Sequence, residues 1–302
     1  MIKNKTHNGK IVAQKNGFDI INCKNCGFKH IHPIPSIEEL EYIYKHEYYS
    51  KDKPTYITEN TEDKKWWQLT YQRRFDIYKK YLATKQSKKL LDIGSGPGLF
   101  LEVGAKNNWE VIGVEPNKIA AMHCINKGLN VINSMYDNKL SKKLPKVNLI
   151  NLSLVLEHIS NPLEFLKLTY TQLKKGGLIC IVVPNDFNPI QLIAKKLLNG
   201  NDWWVAPPHH INYFDFNSLS KLLKKAGFAI VHKESTFPID FFLLMGEDYI
   251  NNSNIGKICH SKRKKFEENI IHLNNSDLLT KIYNKFSNLG IGREIVLIAK
   301  KL

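Results

Sequence analysis

Short apolar segments alternate with helical segments along most of the chain, and this alternation constrains the fold more than any other feature. The first apolar run, residues 89–93, passes through a glycine-rich turn into a helical stretch. The later predicted strands are residues 111–115, 130–132, 147–153, 178–183, 229–233 and 294–299. Strands that alternate with helices are typical of a parallel sheet covered on both faces. The alternation therefore predicts an α/β fold.

The glycine-rich turn has the sequence Leu-Asp-Ile-Gly-Ser-Gly-Pro-Gly over residues 91–98. Glycines let the backbone approach a ligand closely, and the start of a helix offers unpaired N–H groups. A dinucleotide fingerprint would need a small residue at position 99 or 101, and both are leucine. No Gly-Lys-Ser/Thr follows the turn, which argues against a nucleoside-triphosphate loop. Glu115 ends the second predicted strand, where a carboxylate can accept hydrogen bonds from ribose hydroxyls.

Several segments together resemble the class I S-adenosylmethionine (SAM)-dependent methyltransferases. They are residues 91–98, Gly113-Val114-Glu115-Pro116-Asn117, Leu156-Glu157-His158-Ile159, residues 173–177 and residues 226–228. The most similar branches are the ubiquinone-biosynthesis type and its sugar- and metabolite-modifying relatives. The resemblance covers residues 88–302. It implies SAM as cofactor and a Rossmann-like sheet of seven strands whose last strand is antiparallel.

The resemblance also implies which residues bind SAM. The glycines of the turn would surround the methionine part, Glu115 the ribose, Ser134 and Met135 the adenine, and Ser153 and Leu154 the methyl-donor side. The full predicted set is Asp92, Gly94, Ser95, Gly96, Gly98, Glu115, Pro116, Ser134, Met135, Ser153 and Leu154, with Tyr71 and Arg74 as candidates for the SAM carboxylate. Tyr71 and Arg74 lie on a helix predicted over residues 62–82, where core packing is the alternative role for the aromatic residue.

Substrate-binding residues are expected where the chain returns to the ligand side of the sheet. An antiparallel last strand places Arg293 at the rim of the site and makes residues 236–292 a candidate lid. Arg263 and Arg293 could hold a phosphate or carboxylate, although a solvated helix face is the alternative for Arg263. The aromatic loop after the fifth strand adds Trp204 and Tyr213 as wall residues.

Three histidines are candidates for a general base. His209 and His210 belong to the loop after the fifth strand, and His158 follows the fourth strand. Each could instead cap a helix or fill space. A base is needed for a neutral hydroxyl acceptor, whereas a phosphate or carboxylate oxygen needs none.

The amino-terminal region has a different pattern. Residues 10–14 and 18–22 alternate as a hairpin, and Cys23-Lys24-Asn25-Cys26 follows. Folding the hairpin near Asn16 brings His7 toward the cysteines, so His7, Cys23, Cys26 and His30 form a predicted zinc set with His32 as a substitute. The alternative is a metal-free turn. The predicted parts are a zinc-ribbon-like appendage (1–50), a helical connector (51–87) and the methyltransferase domain (88–302).

Charge and hydropathy narrow the range of partners. The 302 residues carry a formal net charge of +16, which is compatible with RNA, but abundant Lys, Asn and Ile indicate a compositional bias of solvated surfaces. The chain contains no apolar run of the roughly 20 residues that a membrane span requires, and its start lacks a signal-peptide pattern. We expect a cytoplasmic enzyme that methylates an O or N atom of a small anionic, phosphorylated or sugar-like metabolite. By family analogy, we expect its pathway to be glycan or surface-polymer biosynthesis. An RNA methyltransferase is the alternative, although no RNA-binding module is recognisable.

Overall fold

A computed structural model describes residues 7–46, 54–82, 88–198, 200 and 202–302. Its strands are β1 (Gly9–Lys15), β2 (Phe18–Cys23), β3 (Lys29–His32), β4 (Lys88–Ile93), β5 (Trp109–Val114), β6 (Val131–Ile132), β7 (Val147–Ser153), β8 (Leu173–Pro184), β9 (Asn212–Tyr213), β10 (Phe228–Ser235) and β11 (Glu294–Lys301). Its helices are α1 (Ile37–Tyr42), α2 (Tyr56–Glu62), α3 (Lys64–Tyr81), α4 (Leu99–Lys106), α5 (Lys118–Asn126), α6 (Asn138–Ser141), α7 (Pro162–Gln172), α8 (Pro189–Leu197), α9 (Phe216–Lys225), α10 (Phe241–Leu244), α11 (Ser253–His272) and α12 (Ser276–Asn288).

The larger of the two sheets has seven strands in the order β10-β11-β8-β7-β4-β5-β6. β4 pairs in parallel with β5 and β7, and β7 pairs in parallel with β8. β11 is antiparallel to both of its neighbours, β8 and β10. This confirms the predicted Rossmann-like α/β fold with an antiparallel last strand.

Both faces of this sheet are covered, as the continuous apolar runs predict. Neighbouring residues of one strand point to opposite faces, and Leu149 and Ile150 of β7 accordingly belong to two different hydrophobic clusters. On one face, Leu149 shares its cluster with Phe75 of α3 and Phe100 of α4, whose rings stack at 5.1 Å. On the other face, Ile150 shares its cluster with Leu219 of α9.

The smaller sheet has the order β1-β2-β3-β9, so a strand from beyond residue 88 completes the amino-terminal unit. Asn16 and Gly17 both have positive φ, which matches the turn that joins two-residue hairpins. The predicted hairpin is confirmed. β9 was not expected, and it ties the appendage to the loop that carries the candidate histidines.

The helices before the large sheet differ in detail from the prediction. Ser36 and Glu39 form a capping box at the start of α1. The helix predicted over residues 62–82 begins two residues later, at Lys64, and is preceded by the separate helix α2.

Residues 236–292 form the three helices α10, α11 and α12. α12 packs against β10, and α11 packs against α3. Trp66 of α3 donates a hydrogen bond from its indole N–H to Glu267 of α11 at 2.5 Å. These contacts hold the segment against the side of the sheet. Among the described helices, none has the length and apolar character that a membrane span requires.

Candidate functional site

A cavity of about 530 Å³ lies at the carboxyl ends of β4, β5 and β7 and at the start of β11. Its lining includes Gly94, Gly96, Glu115, Pro116, Met135, Ser153, Leu154, Glu157, His158, His210 and Arg293. Ligands of open α/β sheets bind outside the carboxyl ends of the strands, and the volume fits a small-molecule site. We call this space the main cavity. Seven of the predicted SAM-binding residues line it.

The glycine-rich turn has a backbone that only glycine adopts readily. Gly94, Gly96 and Gly98 all have positive φ values, of 72°, 51° and 81°. A Cβ atom on Gly94 would lie 2.6 Å from a methyl carbon of Val155. The glycines therefore bring the backbone to the edge of the main cavity without side chains that would fill it.

Glu115 is buried between this turn and the start of α5. Its carboxylate accepts hydrogen bonds from the backbone N–H groups of Gly96 and Asn117, both at 2.9 Å. Burial raises the pKa of Glu115 to about 7. A carboxylate can accept about four hydrogen bonds, so Glu115 keeps capacity for the hydroxyls of a ligand in the main cavity.

Leu154 directly follows β7 with φ at 57°, in the left-handed region that a leucine rarely adopts. Its N–H donates to the carbonyl of Val182 at 2.8 Å, which fixes the strained backbone. Strained residues of this kind concentrate at functional sites.

Other predicted SAM-binding residues lie around the main cavity and are not part of its lining. Asp92 accepts a hydrogen bond from Asn151 at 2.7 Å. The Ser134 hydroxyl donates to its neighbour's carbonyl, and Gly98 begins α4. Ser95 is buried within the turn. These residues support the walls rather than form them.

Tyr71 and Arg74 lie on α3, also outside this lining. Tyr71 packs edge-on against Phe100, and burial raises its pKa. Arg74 is 2% exposed, and its Nε and Nη1 atoms have no hydrogen-bond partner within the described chain. It lines a small pocket that shares Glu294 with the main cavity.

His158 and His210 both line the main cavity, with ring centroids 5.1 Å apart. The Nδ1–H of His158 donates to the carbonyl of His209 at 2.7 Å, and burial lowers the pKa of His158 to about 4. The ring is therefore neutral at pH 7, with Nε2 as an acceptor. The His209 side chain is not in the lining. Its carbonyl group serves the site by orienting His158.

Glu157 is a site residue that the sequence reasoning quoted in a motif without assigning it a role. It is 1% exposed and lines the main cavity, and its carboxylate lies 3.8 Å from Nε2 of His158. Burial raises its pKa well above the usual range. The signal available was the Glu-His pair at the end of a parallel strand, where functional groups collect.

Asp186 was also missed. Its two carboxylate oxygens lie 4.0 Å from His210 Nδ1 and 4.0 Å from Arg293 Nη1. Burial raises the pKa of Asp186 to about 6, and Arg293 opposes that rise. The carboxylate thus lies between a candidate base and a candidate anion-binding residue.

The predicted substrate residues are separated by the fold. Arg293 lines the main cavity, whereas Arg263 of α11 lies over the ring of Trp66 at 4.7 Å and lines the small pocket. Trp204 and Tyr213 were expected to form walls, but they are buried in the core of the smaller sheet. Their large apolar surfaces pack there against β-strand residues distant in sequence.

The predicted lid does not cover the main cavity. The described lining passes from His210 to Arg293 with no residue of the 236–292 segment between them. The reason is packing, because α12 lies on β10 and α11 on α3.

The amino-terminal unit brings His7, Cys23, Cys26 and His30 together, with ligand atoms within 4.8 Å of one another. His7 Nδ1 lies 3.1 Å from His30 Nε2, 3.4 Å from Cys26 Sγ and 3.8 Å from Cys23 Sγ. Zinc bonds of about 2.0–2.3 Å give tetrahedral ligand separations of about 3.3–3.8 Å, so the four residues fit the ion. His30 Nδ1–H donates to the carbonyl of Ile31, which leaves Nε2 for a metal. His32 is exposed and outside this group.

Comparisons with known proteins show the family to which this chain belongs. Residues 66–233, more than half of the chain, match a family model described as a methyltransferase domain. A ubiquinone biosynthesis O-methyltransferase of Ruegeria pomeroyi is 32% identical over 160 residues, which are 48% of this chain and 62% of that protein. The corresponding protein of Caulobacter vibrioides is 28% identical over 143 residues, 45% of this chain and 57% of that protein. The chain thus spans less than two thirds of either relative.

A solved SAM-dependent methyltransferase of Archaeoglobus fulgidus is 23% identical, with a TM-score of 0.47. The match covers 76% of this chain and 91% of that chain.

Proposed function

Since the chain belongs to the methyltransferase-domain family, we propose that it is a SAM-dependent methyltransferase that methylates an O (or N) atom of a small anionic, phosphorylated or sugar-like metabolite. The observation that carries this proposal is the main cavity, a concave site of about 530 Å³ in which the candidate cofactor and acceptor residues meet. A concave site of this volume fits a metabolite better than a broad nucleic-acid surface.

SAM would lie over the ends of β4 and β5. SAM supplies an electrophilic methyl group on a sulfonium sulfur. Glu115 would accept hydrogen bonds from the ribose hydroxyls, and the backbone at Gly94 and Gly96 leaves room for the methionine part. Met135 and Pro116 line the same end and would neighbour the adenine.

Arg74 would hold the SAM carboxylate. An uncompensated guanidinium is expensive to bury, and an anion at its vacant Nε and Nη1 donors would offset that cost. Burial opposes its charge, yet Cys180 and Tyr78, with smaller contributions from Tyr71 and Glu294, raise the pKa of Arg74 above its ordinary value. The guanidinium therefore stays charged.

Methyl transfer asks the chain mainly to orient two reactants. An acceptor oxygen forms a bond to the methyl carbon as the carbon–sulfur bond breaks, and the electron pair of that bond remains on sulfur in S-adenosylhomocysteine. Orientation of this kind supplies roughly 7–11 kcal/mol at most. A hydroxyl acceptor also loses a proton, for which His210 and His158 are the candidates, and His158 is neutral and able to accept it.

Arg293 supports an anionic group on the acceptor, since it lines the main cavity at the rim. Arg263 no longer supports it, because the side chain lies over Trp66. We therefore propose that a phosphate or carboxylate would contact Arg293 alone. A role in glycan or surface-polymer biosynthesis remains a proposal by family analogy.

Zinc would organise the amino-terminal unit. The support is the convergence of His7, Cys23, Cys26 and His30 at separations that match a tetrahedral ion. Four protein ligands leave no open position, so the metal would be structural. The predicted part boundaries at residues 50 and 87 stay proposals, and β9 joins the first part to the third.

Incubation with methyl-labelled SAM and a bacterial extract tests the proposal. We expect label in the small-molecule fraction after the RNA has been separated. The acceptor-free protein should also bind S-adenosylhomocysteine by calorimetry. Label that appears only in RNA would replace the proposal with the RNA alternative, which otherwise rests on the net charge of +16.

A further inference from the structure

We propose that Glu157 binds the acceptor itself, by hydrogen bonds to neighbouring hydroxyl groups of an uncharged part of that molecule. This inference rests on the proposed function and deepens it, because it selects a polyhydroxyl acceptor from the wider class of small metabolites. The Glu157 cluster, defined as Glu157, His158 and His210, forms the acceptor end of the main cavity.

Glu157 lies beside the position where the methyl group would be delivered. It follows β7 in the short 3-10 turn Leu156–His158, three residues after the strained Leu154. Asn212 donates hydrogen bonds to the carbonyls of Leu156 and Ile159, and Ile211 N–H donates to the carbonyl of Glu157 at 2.9 Å. These hydrogen bonds hold the backbone of the turn and so position Glu157 at the wall of the main cavity.

The carboxyl group lacks the partners that burial requires. Both of its oxygens are buried, and apart from the backbone of Glu157 itself no group in the part of the chain that the structure describes donates a hydrogen bond to them. Buried polar groups are almost always hydrogen-bonded, and leaving one unsatisfied is costly. Since Glu157 lines the main cavity, a ligand in that cavity can supply the missing partners.

The chemistry around Glu157 selects hydroxyl groups. Burial raises the pKa of Glu157, and the nearby carboxyl groups of Asp186 and Glu294 raise it further. This end of the main cavity therefore disfavours a ligand with a negative charge. Arg293, the cavity's guanidinium, lies 4.0 Å from Asp186 instead. The neighbouring His158 ring is neutral. A carboxyl group that has two oxygens and lies beside the neutral His158 ring is suited to two adjacent hydroxyls, each of which can donate and accept.

Periodate provides the first arm of the test, because it cleaves the carbon–carbon bond between two neighbouring carbons that each carry a hydroxyl group. The extract is treated with periodate, quenched with ethylene glycol, and then incubated with labelled SAM and wild-type protein. We expect the small-molecule label to disappear, while extract treated with prequenched periodate keeps it. Label that survives the treatment would overturn the inference.

Substitutions provide the second arm. Glu157→Leu removes both hydrogen-bonding oxygens, and we expect half-maximal labelling to need about 10- to 100-fold more extract. Glu157→Gln keeps one acceptor and one donor, and should stay within a few-fold of wild type. Glu164→Gln, an exposed residue of α7 paired with Lys167, is the matched control. All variants should bind S-adenosylhomocysteine equally.

The remaining outcomes separate the alternatives. If Glu157→Gln loses turnover as completely as Glu157→Leu, Glu157 acts as a general base or a metal ligand. If labelling depends on added Mg²⁺ or Mn²⁺, the Glu157 cluster is a cation site. Either result overturns the inference alone. Wild-type protein that binds no S-adenosylhomocysteine, or labels no small molecule, would overturn the proposed function together with it.

Discussion

Glu115 combines a buried carboxylate with a place on the cavity wall. Its two backbone hydrogen bonds lower the pKa, yet burial is the larger effect and raises it to about 7. Burial also raises the pKa of Asp92 to about 7, and the nearby Glu115 contributes to that rise. A ligand that donates hydrogen bonds favours the ionised form of such a group. Cofactor binding and proton release should therefore be coupled here.

We expect S-adenosylhomocysteine to bind more tightly as pH rises through about 7 and to reach a plateau above pH 8. The free protein holds a proton on Glu115 below that pKa, and binding must displace it, so affinity falls by up to about tenfold per pH unit on the acidic side. Calorimetry from pH 5.5 to 8.5 measures this. Glu115→Gln should bind weakly with a flat profile, and Glu110→Gln, which changes an exposed residue of β5, should behave as wild type. An unchanged slope in Glu115→Gln would assign the proton elsewhere.

At the scale of elements, α3 links the cofactor side to the helices beyond it. Arg73 forms a bidentate ion pair with Glu234 of β10, which lowers the pKa of Glu234 to about 2. Arg74, the next residue, has no such pair among the residues that the structure describes. One arginine therefore fastens the helix, and its neighbour is available for a ligand.

Arg74→Met should weaken S-adenosylhomocysteine binding by about 10- to 100-fold, the range for a lost charge-assisted hydrogen bond. Adenosine has no carboxylate, so its affinity should not change. The variant should be no less stable than wild type, because an uncompensated buried charge has been removed. Lys79→Met on the exposed face of α3 is the control. Equal losses for the two ligands would contradict a carboxylate-binding role.

The sequence predicted elements whose determinants are local. The glycine-rich turn and the hairpin at Asn16 both depend on residues within a few positions, and both are confirmed. Long-range packing was not predictable in this way. The aromatic ring of Tyr213 is buried because β9 pairs with β3, about 180 residues earlier. Arg263 had the right chemistry for an anion, but a helical pattern alone does not tell which side of the sheet the helix will cover.

The candidate site shows the same division. Residues on the turns after β4, β5 and β7 line the main cavity because parallel strands end at one edge. Glu157 has a role that depends on His210, which arrives on a loop 53 positions later, so the motif around it could not reveal the cluster.

At the scale of the whole molecule, net charge and site charge differ. The chain carries +16, yet its main cavity is lined by Glu115, Glu157 and Glu294 with Arg293 as the guanidinium among them. The excess of lysine therefore gives no guide to the acceptor. The positive charge of these lysines affects long-range association with charged partners, and dissolved salt screens that effect.

The two sheets are coupled through one short strand. His30 of β3 pairs with Asn212 of β9, and the N–H of Ile31 donates to the carbonyl of Ile211 at 2.9 Å. The N–H of Ile211 in turn donates to the carbonyl of Glu157. A proposed zinc ligand thus lies on β3, which pairs with the strand that contacts the proposed acceptor end of the cavity, whereas the proposed SAM end is built from β4 and β5.

Loss of zinc should therefore impair methyl transfer without impairing cofactor binding. Wild-type protein should contain about one zinc per chain, and Cys26→Ser should lose it, because a structural site needs four ligands. We expect Cys26→Ser to keep the wild-type affinity for S-adenosylhomocysteine and to label little or no small-molecule acceptor. His32→Ala changes a residue of β3 that lies outside the ligand set, and this variant should keep both the metal and the activity. Zinc-free wild-type protein would end the metal proposal, and a zinc-free Cys26→Ser variant with full activity would show that the smaller sheet holds the acceptor end without the ion.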